Sequence, residues 1–161
     1  MKKIITPLVI VVIALVAIFI FMQQFRVEKA SIGETLNLKN DVTLTVDNIE
    51  YGKNIFKDKA IQLSDKTAIV VSFTINNGGK DDFSISHDDL CVYYDGDADF
   101  RPDELYRKTN SDWDESGEFI VGKCTNKPTE FKAYILVPDD VIENTEKDLH
   151  LTMATYQFEL R

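Results

Sequence analysis

Asp95-Gly96-Asp97-Ala98-Asp99 sets three carboxylates at alternate positions around a turn. A hard divalent cation takes several oxygens from one loop, so this spacing is a candidate Ca2+ site. Asp103 and Glu104 follow closely and would add oxygen donors. The standard calcium-loop register started at Asp95 does not fit, because it puts Phe100 where the loop needs glycine and Tyr106 where it needs a bidentate glutamate. The competing reading is an acidic hairpin turn in which Asp and Gly supply backbone geometry. No other cofactor is suggested.

Two cysteines occur, Cys91 and Cys124, with no C-x-x-C spacing. That excludes a thiol redox motif or a zinc knuckle. A disulfide persists outside the cytoplasm. Cys91 falls on a strand pattern and Cys124 follows Gly122-Lys123, so a Cys91–Cys124 bridge between neighbouring strands is expected, the alternative being two free thiols.

Ser86-His87-Asp88-Asp89 contains catalytic residue types. Successive side chains on an extended chain point opposite ways, so Ser86 and His87 do not make a nucleophile–base pair. The other histidine, His150, lies between Leu149 and Leu151, at a surface position opposite an apolar face. A chain without catalytic activity is expected. Trp113, the sole tryptophan, sits within Asp112-Trp113-Asp114-Glu115. Exposed, it would anchor a partner; the plainer alternative is an aromatic folded back on the domain.

The elements that must position these residues begin with an apolar N-terminal run. Ile4 to Met22 carries no charge, and as a helix it spans roughly 28 Å, close to the hydrocarbon thickness of a bilayer. No small-x-small cleavage site follows in Gln23-Gln24-Phe25-Arg26-Val27, and no cysteine is there for lipid attachment. A retained signal anchor is expected over residues 1–25, a juxtamembrane linker over 26–31 and one domain over 32–161. Lys2 and Lys3 place the N-terminus in the cytoplasm and the domain outside it.

The chain has a net charge of −9 from 18 basic and 27 acidic residues. Without Lys2 and Lys3, 16 basic and 27 acidic residues remain, a net of −11. Such a domain repels phosphates, so no nucleic-acid partner is expected. The expected partners are the membrane, through the N-terminal helix, and a surface protein or envelope polymer.

After residue 31 the apolar period is close to two. Val42-Thr43-Leu44-Thr45-Val46 alternates, as do Ile69 to Ile75 and Phe131 to Val137. Short runs at 83–85, 90–94, 118–121 and 149–160 read as strands, and Asp103 to Arg107 as one helical turn. Seven or eight strands between turn signals predict an all-β, antiparallel sandwich.

Ile32-Gly33-Glu34-Thr35-Leu36, the strand Val42–Val46, the strand Ile69–Asn77 with its terminal Asn, Leu90–Gly96 with its Asp-Gly turn, and Phe131–Val137 closed by Pro138 carry a resemblance. Together they are similar to an immunoglobulin-like family of unknown function on Gram-positive cell surfaces. The likeness covers most of the chain from Ser31 to Leu160. It implies an immunoglobulin-like sandwich at the cell surface and no general catalytic residues. Members are often lipoproteins, which this chain is not.

The expected function is therefore an anchored extracytoplasmic binding module, with a calcium-dependent ligand-binding or sensing domain built on Asp95–Asp103 as the alternative. Protease added to intact protoplasts should remove residues 31–161. Complete protection, or a mature N-terminus beginning after Met22, would overturn that topology.

Overall fold

A strand buried on one face repeats its apolar residues every second position, and several segments of this chain do so. The computed structural model describes residues 27–53, 65–96, 98–125 and 127–160. The anchor expected over residues 1–25 lies outside them. Among the described residues no helix is long and apolar enough to cross a membrane.

The described strands are β1 (Glu28–Ala30), β2 (Thr35–Asn37), β3 (Val42–Gly52), β4 (Lys66–Asn77), β5 (Phe83–Ser86), β6 (Leu90–Tyr94), β7 (Ala98–Phe100), β8 (Glu104–Thr109), β9 (Asp112–Glu115), β10 (Glu118–Val121), β11 (Thr129–Pro138), β12 (Leu149–Met153) and β13 (Tyr156–Glu159). A 3-10 turn covers His87–Asp89, and a short helix, α1, covers Asp139–Glu143. The fold is a β-sandwich. One sheet has the order β1-β13-β12-β6-β7, the other β2-β3-β4-β11-β8-β9, and β10-β5 forms a third, two-stranded sheet.

Val42, Leu44 and Val46 of β3 point inward, as their alternation predicts. The ladder to β4 then shifts between Val46 and Asn48, so that Val46 faces Phe73 but Ile49 faces Val71. The extra residue of this bulge is Asp47, whose carboxylate accepts a hydrogen bond from the Thr74 hydroxyl at 2.7 Å. The bulge moves the inward set from even to odd positions and keeps Ile49 packed on the core. Ile69, Val71, Phe73 and Ile75 of β4 meet Phe131, Ala133, Ile135 and Val137 of β11 across a long antiparallel ladder. Phe73 stacks on Phe131 with centroids 5.2 Å apart, and Phe119 of β10 tilts against Phe131 at 5.9 Å. Leu90, Val92, Leu149, Leu151, Met153 and Phe158 close the core from the opposite sheet.

Three local expectations give way. Residues 103–107 form no helical turn: Glu104 and Leu105 are buried at the start of β8, which pairs with β11. The run 149–160 is broken at Ala154, whose φ of 54° turns the chain from β12 into β13. Part of the expected linker is strand, because Glu28–Ala30 pairs with Tyr156–Phe158. That pairing is parallel, the one exception among these ladders to the antiparallel expectation.

Asn77, at the end of β4, is fully buried. Its side-chain amide donates to Asp81 O at 3.0 Å and Val121 O at 2.9 Å, and its oxygen accepts from Gly79 N at 3.0 Å. The β4–β5 turn is thereby fastened to the end of β10. Gly79 lies so close to the β2–β3 loop that an added Cβ would sit 2.2 Å from Asn40 O. Asn77→Ala strands two buried polar groups, Gly79 N and Val121 O, and frees a part-buried third, Asp81 O, and should destabilise the protein by about 2–3 kcal/mol. Gly79→Ala should also destabilise, through the backbone clash. Denaturant unfolding that leaves both variants within about 0.5 kcal/mol of the parent would show the clamp to be dispensable.

Candidate functional site

The outward positions of the first sheet are polar. On β1 this is Lys29, on β13 Gln157 and Glu159, on β12 His150, and on β6 Cys91 and Tyr93. The ladders place them side by side: Lys29 faces Gln157, His150 faces Glu159 on one side and Tyr93 on the other. Near the end of the sheet Lys29, Gln157, Glu159 and His150 border a cleft of about 530 Å³, completed by Ser31, Asp148 and the Asp95-Gly96 turn. Ala30 and Leu149 are the apolar residues of its lining.

Each wall has a local cause. Asp95 and Gly96 adopt successive left-handed conformations, φ 53° and 80°, which Asp and Gly tolerate better than other residues. Asp95 N donates to Asp148 O at 3.0 Å, and its carboxylate is ion-paired with Lys147, so the turn is held against the start of β12. Lys29 is presented by the parallel β1–β13 pair. His150 stacks on Tyr93, with centroids 5.5 Å apart and planes 19° from parallel. Burial lowers the His150 pKa, with the Asp148 charge opposing in part, so the imidazole is held neutral at physiological pH. A neutral imidazole offers one donor and one acceptor. Among the described residues, Lys29, Asp148 and Glu159 form no ion pair. The cleft takes in Lys29, Ala30 and Ser31, so it starts about 7 Å along the strand from Val27.

The residues singled out in the sequence fall in several places. Asp95 borders the cleft. Asp99 is held by Arg101 at 3.3 Å, which keeps its carboxyl below the usual range, and Arg101 also bonds Asp88 at 2.5 Å. Asp103 accepts from Leu136 N at 2.9 Å on the other sheet. Asp97 lies outside the described residues. The carboxylates of Asp95, Asp99 and Asp103 thus point to separate partners, and among the described residues no group of three potential ligands gathers around a metal position. The Ser86 hydroxyl caps the 3-10 turn by accepting from Asp88 N at 3.3 Å and donates to the Asp89 carboxylate at 2.9 Å, so it is not directed at His87. Trp113 stands on β9 and lies on the sheet, with the Lys132 ammonium 5.0 Å from its ring centroid.

His150 alone of the cleft's central groups was legible as an outward residue. Lys29, Ser31, Gln157 and Glu159 were not found, since the linker reading hid β1 and the unbroken reading of 149–160 hid the β12–β13 hairpin. The available signal was the alternation Gln157-Phe158-Glu159, with polar residues on either side of a buried one.

No family model matches the chain, and no curated protein matches it. Among solved structures, an uncharacterized β-sandwich protein of Clostridium difficile 630 superposes with a TM-score of 0.58 at 16% identity, over 83% of this chain and 94% of that one. A candidate lipoprotein of Bacillus subtilis subsp. subtilis strain 168 gives a TM-score of 0.41 at 16% identity, over 73% of this chain; the chain spans about a third of its length, 32%. The first likeness supports the β-sandwich fold.

The expected Cys91–Cys124 disulfide is not formed; both are free thiols. The physical reason is placement. Cys91 sits on the outer face of β6, shielded there, while Cys124 lies beyond β10 beside the β4–β5 turn, where its thiol donates to Gly79 O at 3.2 Å. Burial, followed by the neighbouring Asp99, pushes the Cys91 thiol up to about 11. Because the thiolate is the nucleophile, iodoacetamide at pH 8 should modify Cys124 first. The Cys91 rate should keep rising about tenfold per pH unit until near pH 11. A disulfide-linked peptide pair, or equal rates at pH 8, would contradict this placement.

Proposed function

We propose that the chain is an extracytoplasmic interaction module: an immunoglobulin-like sandwich held at the cell membrane by its N-terminal helix, with the N-terminus cytoplasmic. Its partner is a surface protein or envelope polymer, bound without turnover. The observation that carries this reading is the polar cleft on the first sheet. It offers a mixed set of donors and acceptors on rigid strands, which suits recognition. The Ser86 hydroxyl, next to His87 in sequence, is engaged with Asp89. An uncharged N-terminal run with a basic flank supports the membrane placement.

A photo-crosslinking residue placed at Gln157 tests the assignment on intact cells. Adducts with envelope material should form at Gln157 and not at Asp112, which lies on β9 of the other sheet. Equal capture at both positions, capture at Asp112 alone, or no capture would refute it.

A further inference from the structure

The cleft has more acceptors than donors. Asp148 and Glu159 contribute carboxylates without an ion-pair partner among the described residues, and Asp95 contributes a third that Lys147 already neutralises. Lys29 is the cation that stands against them. The surrounding domain, at −11 after the N-terminal run, adds a field of the same sign. A ligand seated here must bring donors, and at least one positive charge.

Shape narrows the class. The lining crosses from β1 over β13 and β12 to the turn after β6. Three strand spacings make a trough roughly 14 Å across, which calls for an oligomer. A cationic peptide would also bring donors, but peptides are anchored by apolar or aromatic side chains in desolvated pockets. The apolar lining is limited to Ala30 and Leu149. The floor instead presents His150, Gln157 and Ser31, which both donate and accept, beside fixed carboxylates. Hydroxyl groups, which also do both, are the natural complement.

Resting on the binding-module reading above, we propose that this cleft binds an amine-bearing oligosaccharide, a chain of sugar units with free amino groups. Asp148 and Glu159 receive the ammonium and adjacent hydroxyls. Lys29, Ser31 and Gln157 meet hydroxyl and ring oxygens on the β1 side. His150, braced by Tyr93, holds a hydroxyl between them.

The test uses the full chain in detergent and calorimetric titration with three probes: a glucosamine tetrasaccharide, its fully N-acetylated counterpart, and tetralysine. The glucosamine oligomer should bind at least tenfold more tightly than either of the others. Asp148→Asn combined with Glu159→Gln should reduce its affinity at least tenfold, and Lys29→Ala should weaken it too. Asp112→Asn, on the far sheet, should leave it unchanged. Binding of tetralysine with the saccharide silent would overturn the proposal in favour of a basic peptide. Saccharide binding that survives the Asp148/Glu159 double substitution would overturn the cleft as its site. If every probe fails while Gln157 still cross-links on cells, the ligand class is wrong and the module stands. If both fail, both are wrong.

Discussion

Asn77 must keep three hydrogen bonds inside an apolar interior, and several chain segments end where they do because of that demand. Its amide reaches the carbonyls of Asp81 and Val121, and its oxygen takes the Gly79 amide. A buried polar group left unpaired loses far more than a satisfied one gains. The β4–β5 turn and the end of β10 therefore cannot shift independently of β4. Cys124 and Lys123 add to the same knot: Cys124 N donates to Gly79 O, and Lys123 N to the Asp82 carboxylate. The core aromatics Phe73, Phe119 and Phe131 then meet on strands whose ends are already fixed.

Legibility followed burial. Strands with one clean inward face, such as β11 and the first half of β4, read directly from alternation. The second half of β3 did not, because a bulge at Asp47 reverses parity without any Gly or Pro to mark it. β8 resembled a helical turn because Asp103 and Glu104 are poor strand signals, yet Glu104 is buried and accepts from the Tyr106 hydroxyl at 2.6 Å. That pairing exists only after folding. β9 is wholly exposed along Asp112–Glu115, so it carries no apolar periodicity at all. The cysteines were matched by compartment and strand adjacency, and neither feature fixes which face of which sheet a side chain occupies.

The candidate site shows the same limit from the other side. Its residues come from β1, β13, β12 and two turns, and they are unremarkable one by one. What makes them a surface is registry: Lys29 with Gln157, and Glu159 with His150 and then Tyr93. Alternation that sends Leu149, Leu151 and Phe158 inward sends His150 and Glu159 outward by the same geometry. The apolar core and the polar cleft are thus two faces of one pattern. The cleft sits on the rigid part of the sheet, so its groups are positioned before any ligand arrives.

The parallel pairing of β1 with β13 has a mechanical consequence. Were the N-terminus tethered and the cleft occupied, as proposed above, tension between them would run along the strands. The short β1–β13 ladder is then loaded in shear, with its hydrogen bonds strained together, whereas a strand pulled sideways would unzip them in turn. β1 also carries Lys29 and leads into Ser31, so the segment that bears the load supplies one wall of the cleft. Loss of that ladder would take the wall with it, so a ligand held as proposed above would be released while the chain itself stayed joined.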